Sequence, residues 1–209
     1  MMDHEKGTEQ RSPSMLDLVR LSPRRLFPPG GADLYRQAAR LMDLSPGIEL
    51  LDVASGLGIP LEFFVREFGV QGSGIEEDPH LLAAAEAHVR GEGLNGRLSF
   101  QKASPGDLPF RDETFDAVVG ELGLAARVDP KQAIRELARV ARPGGRVALI
   151  QLVWRAPVDL DRRRILSDHL GARPLMSVEA RRVLMDSGVT DLITEDWTDE
   201  DLSLIHISE

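Results

Sequence analysis

An α/β fold, with strands and helices alternating along one chain, is what this sequence predicts, and three stretches predict it. Residues 49–60, E-L-L-D-V-A-S-G-L-G-I-P, read as a buried strand breaking into a glycine turn and then a helix. Residues 70–79, V-Q-G-S-G-I-E-E-D-P, read as a short second strand that ends in acid and enters another helix. Residues 115–154 repeat the alternation, with F-D-A-V-V-G, a helix from Pro130, and the apolar run R-V-A-L-I-Q-L-V-W.

Each element has its own local warrant. Polar, proline-containing residues 1–14 are expected to be disordered, Met15 to Leu21 to form a short helix, and Pro28 to Gly31 a loop. Leu34, Ala38, Leu41 and Met42 stand at helical spacing, so Ala32 to Leu44 reads as an amphipathic helix. Leu50, Leu51 and Val53 form the apolar run of a strand covered on both faces. Gly56 and Gly58 let the backbone turn sharply and approach a ligand, and Pro60 suits the first turn of the next helix. Asp78 and Pro79 are the N-cap and first residue of the helix that follows the second strand. Pro130 to Arg142 carries an apolar stripe of Ile134, Leu137, Ala138 and Ala141, and Pro143-Gly144-Gly145 terminates it before a strand from Arg146 to Trp154. Val178 to Asp186 reads as a helix and Val189 to Trp197 as a sixth strand. There is no sign of a repeat or second domain, which makes residues 15–209 one domain with its core at 46–154.

The glycine turn is a ligand cradle, because unsatisfied amides at a helix start favour negative charge or carbonyl-like acceptors. Glu76 lies about twenty residues beyond Gly56, where an acid can bind both hydroxyls of a ribose. The alternative is that Glu76 is one of many solvated acids. Its position, after an apolar strand and before a capped helix, favours an adenosine ligand. A dinucleotide fingerprint needs a third glycine for close helix packing against the strand. Here that place holds Leu61, and Pro60 removes an amide, which disfavours a pyrophosphate and with it an NAD(P)-dependent oxidoreductase.

At these residues the chain resembles the class I S-adenosylmethionine (SAM)-dependent methyltransferases, whose first motif has the form L-D-x-G-x-G-x-G. The match runs from Leu51 and Asp52 to Gly56, Leu57 and Gly58. Ala54 replaces the usual first glycine; since alanine avoids positive φ, the turn there is expected to shift slightly. The likeness continues in order through Asp107-Leu108-Pro109-Phe110, Phe115 to Gly120 and the run R-E-L-A-R-V-A-R-P-G-G, which is similar to the ubiquinone and menaquinone C-methyltransferases. It implies a Rossmann-like doubly wound, mostly parallel sheet flanked by helices, with ligand at the carboxyl ends of the strands.

The resemblance also implies roles. Asp52 would organise the glycine loop and the methionyl ammonium of SAM, backbone groups of Ala54, Ser55 and Gly56 would lie along its methionine part, and Glu76 would take the ribose. Glu77 stands where an apolar residue usually meets adenine, so the ring would lean on Ile59 or Leu108 if that carboxylate points outward. Ser104 occupies the place of the acid that usually meets the adenine amine, with Asp107 the alternative. The N-terminal helix would partly cover the cofactor and shape the acceptor pocket. A full family fold ends in a seventh strand. Leu202, Leu204 and Ile207 would supply a short one, but S-L-I-H-I-S-E resembles a translated sequencing adapter, and the expectation is a truncated end with that strand missing or replaced.

Composition narrows the chemistry. The 209 residues carry 25 basic and 34 acidic side chains, a formal charge of −9, which gives no support for nucleic acid and leaves a small molecule as the acceptor. No cysteine is present, which excludes chemistries that use a cysteine nucleophile or ligand, among them methylation of pyrimidine C5 and of trivalent arsenic. Gly120 to Gly123 stand where amino-methylating nucleic-acid enzymes have [DN]-P-P-[YFW]. A catechol-type metal site needs clustered Asp and Asn around the fourth strand, where only Glu121 is available, so no metal is expected. No apolar run reaches membrane-spanning length and no signal-peptide core is seen, so the expected setting is cytoplasmic without membrane insertion.

For the acceptor proton, Glu121 at the end of the fourth strand and His169 beyond the fifth are the candidate groups, against the plainer reading that both are solvated. Arg155, Arg162, Arg163, Arg164 and Arg173 make the latter region basic, suggesting either an anionic acceptor or pairing with the interleaved Asp159, Asp161 and Asp168; the pairing is favoured. Three readings follow: a methyltransferase for a small O, N or C nucleophile, a SAM-binding protein that does not catalyse transfer, and the disfavoured oxidoreductase.

Overall fold

The computed structural model describes residues 31–121, 128–154, 157 and 159–195. In chain order these form α1 (Gly31–Leu41), β1 (Glu49–Val53), α2 (Ile59–Phe68), β2 (Gln71–Glu76), α3 (Pro79–Gly91), β3 (Leu98–Lys102), β4 (Phe115–Gly120), α4 (Pro130–Val140), β5 (Ala141–Leu149), α5 (Leu160–Leu170) and α6 (Ser177–Asp186). The strands make one parallel sheet in the order β3-β2-β1-β4-β5. The direction of strand addition reverses between β1 and β4. In doubly wound sheets the crevice at such a switch point, outside the carboxyl ends of the strands, is where ligands bind.

The two-residue period of a strand sorts the core into two layers. Leu50, Ala117 and Val119 face a layer with Tyr35 and Ala38 of α1, Met42 just after it, and Leu61, Phe64 and Val65 of α2. Leu51, Val53 and Val118 face a second layer with Ala133, Leu137 and Val140 of α4. The same period puts Asp52 and Glu121 on the α1 side of the sheet.

Several expectations are corrected. The buried stripe of α1 is Tyr35, Ala38 and Ala39, continued by buried Met42 in the turn after it, while Leu41 is exposed. The helix has turned to place the Tyr35 ring against Phe63 and Phe64, at 6.2 and 5.8 Å between centroids. The buried stripe of α4 includes Ala133 and Val140 beside Ile134 and Leu137. Strand β5 begins at Ala141, not Arg146, because Ala141 pairs with Phe115 before the register jumps to Arg146 opposite Ala117. The Pro143-Gly144-Gly145 segment is thus a bulge inside the strand. At Gly145 an added Cβ would lie 2.8 Å from the carbonyl oxygen of Asp116, so only glycine lets the backbones pass.

Val189 to Glu195, the described part of the expected sixth strand, is turn and irregular backbone with Ile193 exposed. Among the described residues it has no ladder partner to hold it extended. Residues 1–30 and 196–209, with the expected tail, first helix and final strand, lie outside the described residues.

Candidate cofactor site

The site is assembled at the switch point. Asp52 pairs in register with Val119, and Val53 with Gly120, so the next residue of β4's chain, Glu121, emerges beside the end of β1. Asp52 is completely buried, and neither of its carboxylate oxygens has a hydrogen-bond partner among the described residues. Glu121 as a residue is half-buried, but its Oε1 is shut off from solvent and also without a partner. Its Oε2 accepts a 3.0 Å hydrogen bond from the Tyr35 hydroxyl. From the segment after β5, Gln151 Nε2 donates to the Glu121 and Gly120 carbonyls, at 2.5 and 3.4 Å, and pins the end of β4.

Burial is the main force on both acids. It pushes the Asp52 carboxyl well above its usual range, with Glu121 and Glu76 adding like-charge repulsion. Burial also raises Glu121 to about 7, against the Tyr35 hydrogen bond, which favours the ionised form. Perturbed acids gathered in a crevice are a recognised mark of a functional site.

Glu76 differs. It is 3% exposed, yet both oxygens are used: Oε2 accepts the amide of Gly56 at 2.8 Å and Oε1 the amide of Asp78 at 2.8 Å. In this structure the carboxylate bonded to the glycine-loop backbone is that of Glu76. Each of its oxygens keeps a second lone pair directed elsewhere. Ser55 braces the same loop, with its amide and hydroxyl both donating to the Ile75 carbonyl, at 3.0 and 3.3 Å.

The loop backbone is left-handed at Ala54 (φ 64°), Gly56 (φ 55°) and Gly58 (φ 74°). The expectation of a shifted turn at Ala54 is overturned. The alanine takes the glycine conformation and carries the steric cost of its Cβ, because Glu76 and Ser55 hold the turn from β2.

The missing third glycine also has a physical replacement. Leu61 fits over Gly72 of β2, where an added Cβ would lie 3.0 Å from Leu61 Cδ1 and 2.6 Å from Leu98 Cδ2. The close approach of helix and strand is kept, but the small residue is on the strand.

Of the remaining expected residues, Asp78 caps α3 by accepting from the His80 and Leu81 amides, at 2.8 and 3.5 Å. Glu77 is half-buried beside it, Leu108 is buried and Ile59 is partly exposed. Ser104 and Asp107 face each other across a tight loop, with the Asp107 amide donating to the Ser104 carbonyl at 3.1 Å. That loop is held from α4 by side chains one stripe apart. Gln132 donates to the Gly106 carbonyl (2.8 Å), Glu136 accepts the Leu108 amide (2.8 Å), and Arg139 donates to the carbonyls of Leu108 (3.1 Å) and Phe110 (2.8 Å). His169 lies exposed in the last turn of α5 and is not brought into the acidic group. Two of the nearby arginines pair as favoured, Arg162 with Asp159 (3.6 Å) and Arg164 with Asp161 (3.9 Å), while Arg163 pairs instead with Glu179 of α6 (3.6 Å).

Sequence reasoning missed Tyr35 and the α4 stripe. Tyr35 is the only tyrosine of the chain. Its position within a helical apolar stripe disguised its hydroxyl.

A parallel sheet with this order, a glycine loop between β1 and α2, an acid ending β2 and buried acids at the switch point make this crevice a candidate nucleotide-type cofactor site. Over residues 51–149 the chain matches the family of the methyltransferase domain. It is 36% identical over 129 residues to the methyltransferase GfsG of Streptomyces halstedii, covering 62% of this chain and 46% of that protein. It is 32% identical over 118 residues to the ubiquinone/menaquinone biosynthesis C-methyltransferase UbiE of Geotalea daltonii, covering 56% of this chain and 50% of that one. The chain spans about half the length of these curated relatives. Among solved structures, the [4+2]-cyclase SpnF aligns with a TM-score of 0.66 at 29% identity, covering 74% of this chain and 55% of that one. Among the described residues no helix is long and apolar enough to cross a membrane.

Proposed function

We propose that this chain binds S-adenosyl-L-methionine at the β1–β4 switch point and transfers its methyl group to a small-molecule nucleophile. One observation carries the reading: three solvent-inaccessible carboxylate oxygens, two from Asp52 and one from Glu121, lie at that point without donors. Leaving such atoms unmet is costly, and a cationic ammonium with three N–H donors answers all three. The partly exposed backbone at Ala54 and Gly56 lies beside them, so an amino acid moiety fits there.

The cofactor supplies an activated methyl on a sulfonium, which leaves as a neutral thioether when a nucleophile takes the methyl in line. What remains for the protein is binding and orientation. Asp52 and Glu121 would hold the ammonium, the Ala54–Gly58 loop the adjoining backbone atoms, and the free lone pairs of Glu76 the ribose hydroxyls. The Ser104–Asp107 loop and Leu108 would take the adenine, with Glu77 at its rim. With both oxygens of Glu121 engaged, one by Tyr35 and one by the ammonium, its role is to hold the cofactor and not to take the acceptor proton; His169 would act only on an acceptor that reaches the outer end of α5. The net charge of −9 favours a small acceptor over a polyanion, and a cytoplasmic setting goes with it.

A second reading is that the chain binds SAM without transferring methyl. The relatedness to SpnF, named for a cyclisation, favours it. Calorimetric titration with SAM, S-adenosylhomocysteine and NAD tests the site, and NAD binding without SAM binding would refute the proposal. A methyl-release assay over phenols, amines and quinone precursors separates enzyme from binder.

A further inference from the structure

We propose that Tyr35 is a positioning residue of the cofactor site: from α1 its hydroxyl holds one oxygen of Glu121, so that the other oxygen and the two of Asp52 stay together as acceptors for a cationic ammonium. This rests on the cofactor reading above and deepens it.

The geometry is specific. Tyr35 is fully buried, its ring is fixed edge-on to Phe64, and its hydroxyl reaches a residue 86 positions away at 3.0 Å. A tyrosine ring has few rotamers to lose, so its hydroxyl is a rigid donor. The donor is also neutral. An arginine there would orient Glu121 and cancel its charge, as Arg142 does for Asp116 on the same sheet. A phenol orients the carboxylate and leaves its charge for a ligand. The groups facing Glu121 are Tyr35 from α1, Asp52 from β1 with Glu76 of β2 behind it, and the uncharged Gln151 after β5. Among the described residues no lysine or arginine pairs with Asp52 or Glu121.

A consequence is proton linkage. An ammonium is held by the ionised carboxylate, which burial disfavours below about pH 7 and the Tyr35 hydrogen bond favours. Removing the hydroxyl raises the pH at which Glu121 ionises. The loss of affinity should therefore be larger below pH 7 than above it.

The test is calorimetric titration of S-adenosylhomocysteine into wild type, Tyr35→Phe, Glu121→Gln and the double variant, from pH 6 to 9. The ratio of affinities between variants sharing one ligand cancels the ligand's own titration. We expect Tyr35→Phe to bind about three- to tenfold more weakly than wild type at pH 6, with the ratio shrinking by pH 9 to the smaller part, still above one, that orientation contributes. In the Glu121→Gln background the Tyr35→Phe effect should show no dependence on pH. A single ¹³C-tyrosine ring resonance, read in wild type, should move as Glu121 titrates and on ligand binding. A wild-type to Tyr35→Phe ratio constant with pH, an unchanged pH effect in the Glu121→Gln background, or a resonance indifferent to pH and ligand would overturn the proposal while leaving the cofactor reading intact. Absence of binding by wild type at every pH would overturn both.

Discussion

The two ends of this sheet treat buried and half-buried acids in opposite ways. At the amino end, Asp116 of β4 accepts the Glu49 amide of β1 at 2.9 Å and pairs with Arg142 of β5 at 2.5 Å. Those partners, the amide first, hold its carboxyl below the usual range. At the carboxyl end, Asp52 of β1 and Glu121 after β4 have three oxygens without donors, and both carboxyls are raised. The strands are the same, so the difference lies in what has been supplied. Among the described residues, one end is finished by its own chain and the other is not.

Glu121→Gln should break this contrast with the largest effect. It should weaken SAM binding by more than about tenfold, since charge-assisted hydrogen bonds contribute roughly 1.5–3 kcal/mol. It should also stabilise the ligand-free protein. Glu121's carboxyl moves from 4.5 to about 7 on folding, so the native state keeps a proton that the unfolded chain releases. Stability is fully present below about pH 4.5 and falls as pH rises toward 7, by about 3 kcal/mol at most. Glutamine removes that loss, and urea melts at pH 5 and 8 should show the gain only at pH 8. Equal gains at both would mean that Glu121 does not hold a proton in the native state.

Arg139→Ala comes next, because it undoes the other fully satisfied cluster. Arg139 joins Glu136 (2.7 Å), Asp112 (2.9 Å) and two loop carbonyls, and its hydrogen bond is the first cause of the lowered Glu136 carboxyl. Losing these partly exposed bonds should cost about 2 kcal/mol. It should also weaken binding of S-adenosylhomocysteine more than of S-inosylhomocysteine, since the loop it holds is the one assigned to the adenine amine. Calorimetry on both ligands checks this, and an equal loss would separate the clamp from base recognition.

Asp116→Asn probes the finished end. We expect a loss of about 1 kcal/mol near pH 7, discounted for partial exposure. Because the folded carboxyl is lowered, that stability is present above the unfolded value of 3.8 and is lost as pH falls through the folded one. The stability gap between wild type and Asp116→Asn should therefore close in acid while SAM affinity stays unchanged. A gap that persists at pH 2 would argue that shape, not charge, holds this end.

Much of this contrast was legible in the sequence, and the rest was not, for physical reasons. Asp52, Glu76 and Glu121 were recognisable because each stands where an apolar strand ends, a position that chain order reveals. Their division of labour was not. Whether an acid is met depends on what another element brings, and neither Tyr35 opposite Glu121 nor the Gly56 amide opposite Glu76 is encoded locally. The fold followed the same rule. Strands with neighbours on both sides were found, while β5 began five residues early through a pairing with Phe115, and the expected strand at Val189 has no partner among the described residues. Leu61 was read as an obstacle to close packing because Gly72, which makes room for it, lies on another element.

Ala54 gives the smallest effect and tests whether the carboxyl end holds strain as well as unmet charge. Its φ of 64° is where an alanine Cβ crowds the following carbonyl, at a cost of roughly 1–2 kcal/mol. Glycine removes the crowding but loses more freedom on folding, so Ala54→Gly should stabilise the protein by about 0.5–1 kcal/mol. Urea denaturation at pH 8 measures it. SAM affinity should change less than about twofold, because the Glu76 and Ser55 hydrogen bonds already fix the loop's path. A loss of stability would show that the Ala54 methyl makes contacts worth more than its strain. A large gain in affinity would show that alanine holds the loop away from its ligand-binding shape.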